Sequence, residues 1–537
     1  MTTRFRPRPV YLNDSFMLPV GRYNGKHREK MSFMDLAASV NQLLDKSDIS
    51  RDQIDCVVVG SQNPFAFAGV DNVAAKIAGI LDISGVKSLL VDTASSSGAT
   101  AFESGYLEIA SGRHDNVLVI GIQSMSAVTT AEATRIVAGV IDREEAEFGL
   151  TMPACGALVA QALMSEFNLD SGEWTDFSAR LTERAQAFAA RNPEAHLCHE
   201  IPRGKYLDDI EKGRNYLYYE PLRYYDFCPM SDGVAACLLS ATEQDVLVSG
   251  LGAGTDIPTI ADRKTYTTFP ATVIAMRQTL GMAGLTDIEQ LAGKTHINMH
   301  DPFNGFGPIN LVDLGIVPRE RLLEGLLDTT LTGENGSYPT NLTGGLKGRG
   351  HPLGATGLIQ VVENHRLIRD GRFQAGLSHS IGGPINNNVV ILLEETEHYQ
   401  NRPNTPYRPP GMPELSRMKP PGIKLESLFN KRKKSVVRKI AATTHFDFKT
   451  GDPTSTLLLF KSEIDGTEFR FLIAVDPIAR QALEELKTGD RMELRQDGEQ
   501  LMVNDIQIRR LYRKTLGGFV ELADSAIKRF RRPAKKS

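Results

Sequence analysis

Cysteine is sparse in this chain and stands where it can do little. Five of the 537 residues are cysteine (Cys56, Cys155, Cys198, Cys228 and Cys237), with no CxxC pair and no spacing that would ligate a metal. An odd number of thiols, mostly in apolar settings, excludes a disulfide scaffold and fits a reducing, cytoplasmic compartment. Charge of one sign is lacking too: the formal net charge is -4, which leaves no whole-chain electrostatic case for nucleic acid. No run of about 18 apolar residues occurs, so no membrane span is expected. The opening Met1-Thr-Thr-Arg-Phe-Arg-Pro-Arg-Pro9 is basic but has no apolar core, so a secretory signal is not expected. It also lacks the amphipathic helical pattern of a mitochondrial presequence. Neither a GxxxxGK(S/T) loop nor a strand-placed GxGxxG is present, so the glycine-rich stretches are not phosphate cradles.

What is present is α/β patterning. The chain is 41% hydrophobic and 23% charged, enough for two or three domains with sizeable cores. Apolar runs at 54–60, 88–92 and 116–122 read as strands, separated by helical stretches at 32–44, 74–81 and 98–111. That alternation implies βαβ units and a mostly parallel sheet. Residues 124–225 are more polar, with helices at 152–167 and 175–190 and an aromatic cluster at Tyr216, Tyr218 and Tyr219. This excursion reads either as a substrate lid or as a helical buttress. The βα rhythm then resumes, with strands at 246–250, 296–300, 375–379 and 388–394 and helices at 268–283, 309–314 and 356–369. Two halves, 1–245 and 246–396, suggest an internal duplication without visible identity.

Residues 397–435 are rich in proline and charge and read as an extended linker. Beyond it, within 436–515, five alternating segments (440–447, 456–462, 468–474, 491–495 and 501–509) and one helix (479–487) suit a small OB-like barrel. No aromatic platform lies on a basic strand there, so a docking or structural role is expected. The tail, 516–537, is basic and reads as solvated, with an acidic partner or a membrane surface as the weaker reading.

Three stretches carry chemistry. Ala94-Ser95-Ser96-Ser97-Gly98 is a turn between a strand and a helix N-terminus, where backbone N–H groups can receive developing negative charge. Met299-His300-Asp301-Pro302-Phe303 and Gly350-His351-Pro352-Leu353-Gly354-Ala355-Thr356-Gly357 are two histidine loops that read with it as one site. Each has a plainer reading. The serines could serve only to cap the following helix, and His300 could be a satisfied core histidine. His296 and His379 are expected to be structural. Lys347 and Arg349 flank the Gly-His-Pro loop and are expected to be solvated rather than bound to phosphate.

These stretches resemble motifs of the thiolase superfamily. The serine turn is similar to the thiolase nucleophile motif. His300-Asp301-Pro302-Phe303 resembles the His-Asp-Cys-Phe motif of sterol-carrier-protein-2-type thiolases, and residues 346–357 resemble the Gly-His-Pro-x-Gly-Ala-Thr-Gly signature. Residues 221–233 resemble the segment that re-enters the core after the insertion. The appended barrel is similar to that of bacterial thiolase-like proteins of type 1. The resemblance implies a duplicated βαβαβαββ fold, a five-layer α/β/α/β/α sandwich. It also implies a coenzyme A thioester as substrate, no permanently bound cofactor or metal, and either a homo-oligomer or a monomer. By the same resemblance Ser95, His300 and His351 are the catalytic positions. The backbone N–H groups of Ser95 and of Gly382 or Gly383, together with His351, would form the oxyanion holes.

The sequence departs from the motif at two places. Serine stands at 95 where the family has its nucleophilic cysteine, and Pro302 stands where the acid/base cysteine is expected. Serine's alkoxide is scarce even beside a histidine, and proline has no proton to move. Two functions are therefore carried forward. One is a thiolase-like acyltransferase of the acetyl-CoA acetyltransferase type, with a retro-aldol or decarboxylating variant of it. The other is a catalytically silent protein that binds acyl-coenzyme A or acts as a scaffold.

Overall fold

The computed structural model describes residues 7–402, 413, 415–416, 434–447, 450–464, 467–475, 480, 483, 486–497, 500–503 and 506–510. The proline-rich part of the expected linker, most of the expected helix at 479–487 and the basic tail lie outside the described residues.

Eleven strands precede the linker: β1 (Tyr11–Met17), β2 (Cys56–Gly60), β3 (Lys87–Val91), β4 (Asn116–Gln123), β5 (Leu217–Tyr219), β6 (Leu222–Arg223), β7 (Gly233–Ser240), β8 (Val246–Thr255), β9 (Thr295–Asn298), β10 (Ala375–Gly382) and β11 (Asn387–Glu395). Nine of them form one sheet in the order β3-β2-β4-β7-β1-β8-β11-β10-β9. The sheet is mixed rather than mostly parallel, because β7 and β11 run antiparallel to both neighbours. The two halves join edge to edge where Tyr11 pairs with Leu247.

The duplication is plain in this topology. Strands β1-β7-β4-β2 and β8-β11-β10-β9 have the same order and the same directions. The counterpart of β3 in the second half is reduced to a single bridge between Ile297 and Thr340. The serine turn after β3 and the Gly-His-Pro loop after that bridge thus occupy equivalent places, at carboxyl ends of parallel strands where α/β sheets place their sites.

The helices complete five layers. Residues of α1 (Phe33–Ala38) and α2 (Val73–Ile80) share a core with Val57, Val59, Leu118 and Ile120 on the outer face of the first half-sheet. Cys56, Val58, Val117 and Val119 point the other way, into a core shared with α3 (Ser97–Ala110) and residues 355–368. This two-sided burial explains why β2 and β4 read as continuous apolar runs. The polar excursion carries α4 (Met152–Glu166) and α5 (Ser171–Ala190). In the second half, α6 (Pro270–Ala283) covers β8 and β11, while α7 (Thr356–Arg369) packs on β10, on β7 and β1, and on α3. Among the described residues no helix is long and apolar enough to cross a membrane.

After the linker come β12 (Lys434–Phe446), β13 (Pro453–Ile464), β14 (Thr467–Val475), β15 (Arg491–Asp497), β16 (Gln500–Val503) and β17 (Ile506–Arg510), joined in the order β14-β13-β12-β15-β16-β17. The single strand expected at 501–509 is instead two antiparallel strands, β16 and β17. Leu458 and Phe460 face a small core of their own, whereas Leu457 and Leu459 join the core around α4. The period-2 pattern thus serves two faces. The short strand β5 pairs with β12 at Tyr219–His445, and the Glu220 N–H donates to the Thr444 carbonyl at 3.0 Å.

Candidate functional site

The serine turn is held by everything in it except Ser95. Asp92 accepts from the Ala94 N–H at 2.9 Å and the Asn63 N–H at 2.9 Å. Ala94 adopts the left-handed region at φ 58°, an uncommon conformation for a residue with a Cβ. The Ser96 hydroxyl donates to the Thr93 carbonyl and the Ser97 hydroxyl to the Ala94 carbonyl, at 2.9 and 2.5 Å. Ser96 is the N-cap of α3, yet its side chain makes no capping bond. The helix-capping reading is corrected: two serines brace the turn, and the half-buried Ser95 hydroxyl is left without a partner among the described residues. The end of β10 closes against this turn. A side chain at Gly382 would collide with the Thr93 carbonyl and the Ser96 hydroxyl. Neither the Ser95 nor the Gly383 N–H donates to a group among the described residues.

The two histidine loops meet. The rings of His300 and His351 stand edge to face, 5.0 Å between centroids. They are 3% and 7% exposed, so the two rings sit in a nearly dry corner. Thr356, the first residue of α7, hydrogen-bonds His351 Nδ1 at 2.8 Å, which leaves Nε2 for other work. Burial, reinforced by the Arg349 charge, pushes the His351 imidazole down to about 3. His300 is held well below its ordinary value by burial and then by His351, His379 and Arg349, and its Nδ1 has no partner. Both rings are neutral at physiological pH. The Gly-His-Pro loop reaches the serine turn where a Cβ on Gly98 would lie 2.7 Å from the Gly354 carbonyl oxygen.

Residues 227–231 strut the two histidine loops. Phe227 bridges Phe303, and Met230 bridges His351. The Cys228 N–H donates to the Pro302 carbonyl at 2.9 Å, and Ser231 Oγ accepts from the His351 N–H at 3.2 Å. Asp301 accepts from the Leu346 N–H at 2.7 Å, and burial pushes its carboxyl up to about 6. Gly345, at φ 56°, passes so close to Asp301 that a Cβ would sit 2.5 Å from its Oδ2.

Lys347 and Arg349 are not solvated, contrary to expectation. Lys347 donates to the Tyr225 carbonyl and is 3% exposed, while Arg349 is fully buried against Glu363 at 2.6 Å. Burial pulls Lys347 down to about 8. His296 is structural as expected, bonded to Asn364 at 2.6 Å, and His379 meets Thr272 at 3.0 Å. Ser231, Glu363 and Ser380 were not singled out in the sequence. Ser380 could have been, because it precedes Gly382 by two and so shares its face of β10; its buried Oγ has no partner.

A family model for the thiolase N-terminal domain matches residues 10–243, and one described as thiolase C-terminal domain-like matches 252–395. The chain belongs to the thiolase family. It is similar to the acetyl-CoA acetyltransferase of Methanothermobacter thermautotrophicus (strain Delta H), 30% identical over 373 residues that span 66% of this chain and 92% of that one. A monomeric SCP2-thiolase like protein type 1 from Mycobacterium smegmatis has a similar structure, with TM-score 0.65, 16% identity and coverage of 93% of this chain and 99% of that one. The Ltp2-ChsH2(DUF35) aldolase shares the fold at TM-score 0.58 and 20% identity, over 73% of this chain and 99% of that one.

Proposed function

We propose that this protein acts on a coenzyme A thioester, transferring its acyl group or making or breaking a carbon–carbon bond beside the thioester carbonyl. The observation that carries the reading is the His300–His351 contact. A purely structural protein gains nothing from two buried imidazoles facing each other, with His300 Nδ1 left unpaired, since an unpaired buried polar atom costs about 1–3 kcal/mol.

In the acyl-transfer form, Ser95 Oγ attacks the thioester carbonyl carbon and its proton passes to His351 Nε2. The oxyanion accepts from the Ser95 N–H and from Gly382 or Gly383. Collapse breaks the carbon–sulfur bond, and the coenzyme A thiolate takes the proton back from His351. This route needs the His351 tautomer with hydrogen on Nδ1 and Thr356 accepting it.

One observation favours a second form. An imidazole held near 3 is a weak base for a serine hydroxyl, and Pro302 supplies no proton. In the other tautomer Nε2–H is a donor, suited to holding an enolate oxygen. Retro-aldol or decarboxylative cleavage leaves such an enolate and needs no thiol nucleophile. A structural neighbour with this fold is described as an aldolase. The C-terminal strands are read as an OB-like barrel whose role is to dock on α4 and β5.

Intact-protein mass spectrometry after incubation with acetyl- and acetoacetyl-coenzyme A, with a thiolysis assay, tests the reading. An acyl adduct on Ser95 with turnover supports acyl transfer. Tight coenzyme A binding with neither adduct nor turnover on thioesters, β-hydroxy thioesters or β-carboxy thioesters overturns it in favour of a silent acyl-coenzyme A-binding protein.

A further inference from the structure

Behind the two histidines lies a polar cluster that the reaction does not consume. Glu363, on the second turn of α7, places one oxygen, Oε2, between two donors from different parts of the chain. Asn298 Nδ2 reaches it at 2.6 Å and Arg349 Nη1 at 2.6 Å. Asn298 ends β9 and Arg349 ends the turn before the Gly-His-Pro loop. Each donor stands two residues before a histidine, His300 in one loop and His351 in the other. A single carboxylate oxygen therefore ties the two segments together one step upstream of the place where their rings meet.

The cluster is costly to build. Arg349 is fully buried and Glu363 is 6% exposed, and Arg349 Nε and Nη2, Asn298 Oδ1 and Gln360 Oε1 are left without partners. A buried ion pair of this kind is weak evidence for stability, because desolvation offsets most of the attraction; specifying one arrangement is the better-attested use. Here the arrangement specified is the spacing of two chain segments 51 positions apart at their histidines. The charge balance matters as well, since Glu363 is the counter-charge that keeps Arg349 from standing alone beside His351 and His300.

We propose that Glu363 is a positioning residue: by holding Asn298 and Arg349 on one oxygen it sets the edge-to-face contact of His300 and His351. The inference rests on the coenzyme A-thioester reading only for its effect on turnover; the geometric part stands apart from it.

The test follows the histidine rings themselves. Full-length protein labelled with carbon-13 at histidine Cε1 is compared at neutral pH as wild type, Glu363→Gln, Asn298→Ala and, as a control, Glu194→Gln, which lies in the turn after α5 and breaks a surface pair with Arg366 of α7 at 2.9 Å. Glu363→Gln is expected to move the His300 and His351 resonances and leave His27 and His114 in place. Asn298→Ala, which keeps the ion pair and serves where Glu363→Gln fails to fold, is expected to move His300 more than His351. Glu194→Gln is expected to move neither. Where thioester turnover is measurable, Glu363→Gln should lower it about 10²-fold, the scale of a 1 Å misplacement. Unchanged His300 and His351 resonances in folded Glu363→Gln, or in Asn298→Ala, would overturn the proposal whether or not the protein turns over a thioester.

Discussion

His300 and His351 present edge to face, with their ring planes at 89°. In that geometry the positive rim of one imidazole addresses the π face of the other, and both stay uncharged because burial penalises the imidazolium. Two neutral rings in a dry corner can each offer one N–H donor to a thioester oxygen. His351→Ala and His300→Ala are each expected to lower turnover of a coenzyme A thioester by about 10²–10³, the effect of removing one oxyanion donor. Thiol release followed with a chromogenic disulfide, beside circular dichroism for the fold, checks this.

Position 95 separates the two forms of the chemistry. Ser95→Ala should abolish acyl transfer but change retro-aldol or decarboxylative cleavage by no more than a few-fold, because the Ser95 N–H remains. Ser95→Cys should gain thiolysis and acquire an acyl adduct visible by mass. Loss of all turnover in Ser95→Ala would exclude the enolate form.

The rate should not show an ordinary histidine limb. His351 titrates near 3, so it remains neutral from pH 5 upward. A limb near pH 6 would belong to Asp301, whose carboxyl burial raises to about 6 and whose ionised form accepts the Leu346 N–H. Asp301→Asn is expected to remove that limb, and a limb that survives the substitution would assign it elsewhere.

Stability should respond to pH with opposite signs at two buried groups. Burial raises Asp313 to about 8, so the folded state holds a proton that the unfolded state releases, and stability falls as pH rises from about 4 to 8. Asp313→Asn keeps an acceptor for the Phe269 N–H, bonded at 2.6 Å, and should stabilise the protein at pH 8 but not at pH 4. Burial lowers His365 to about 3, so its contribution is present above about 6.5 and lost as pH falls towards 3. His365→Asn should flatten the acid limb by about 1.4 kcal/mol for each pH unit. Calorimetric melting across pH 4–8 measures both.

The C-terminal strands should separate from the rest by one substitution. Leu459 belongs to the core around α4, while its neighbours Leu458 and Phe460 belong to the strands' own core. With a protease site engineered among residues 403–433, the cleaved wild type should elute as one species. Leu459→Asp should elute as two, each still folded by circular dichroism.

Much of this was legible because local period and motif spacing determine it. The runs 54–60 and 116–122 became β2 and β4, and the serine turn and both histidine loops lie where strand ends put them. The duplication had no identity to show; it lives in strand order and direction, which arise from tertiary pairing. Arg349 and Lys347 were misread because a charged side chain is ordinarily solvated, and their partners, Glu363 and the Tyr225 carbonyl, lie 14 and 122 positions away. Ser231 lies within the 221–233 segment that resembles the family's return to the core, but nothing there singles out the serine, whose importance comes from a contact 120 positions distant.

Residues 227–231 touch Pro302 and Phe303 through one end and His351 through the other. Five residues therefore work as a rigid gauge between parts that share no neighbouring sequence. A change on the gauge is expected to reach both histidine loops at once, so directed evolution of this corner should find its gains in paired adjustments of the gauge and not in either loop alone. Tyr218 rests on Phe227 at 5.5 Å and on His445 at 5.2 Å, which puts one end of that gauge within mechanical reach of the C-terminal strands.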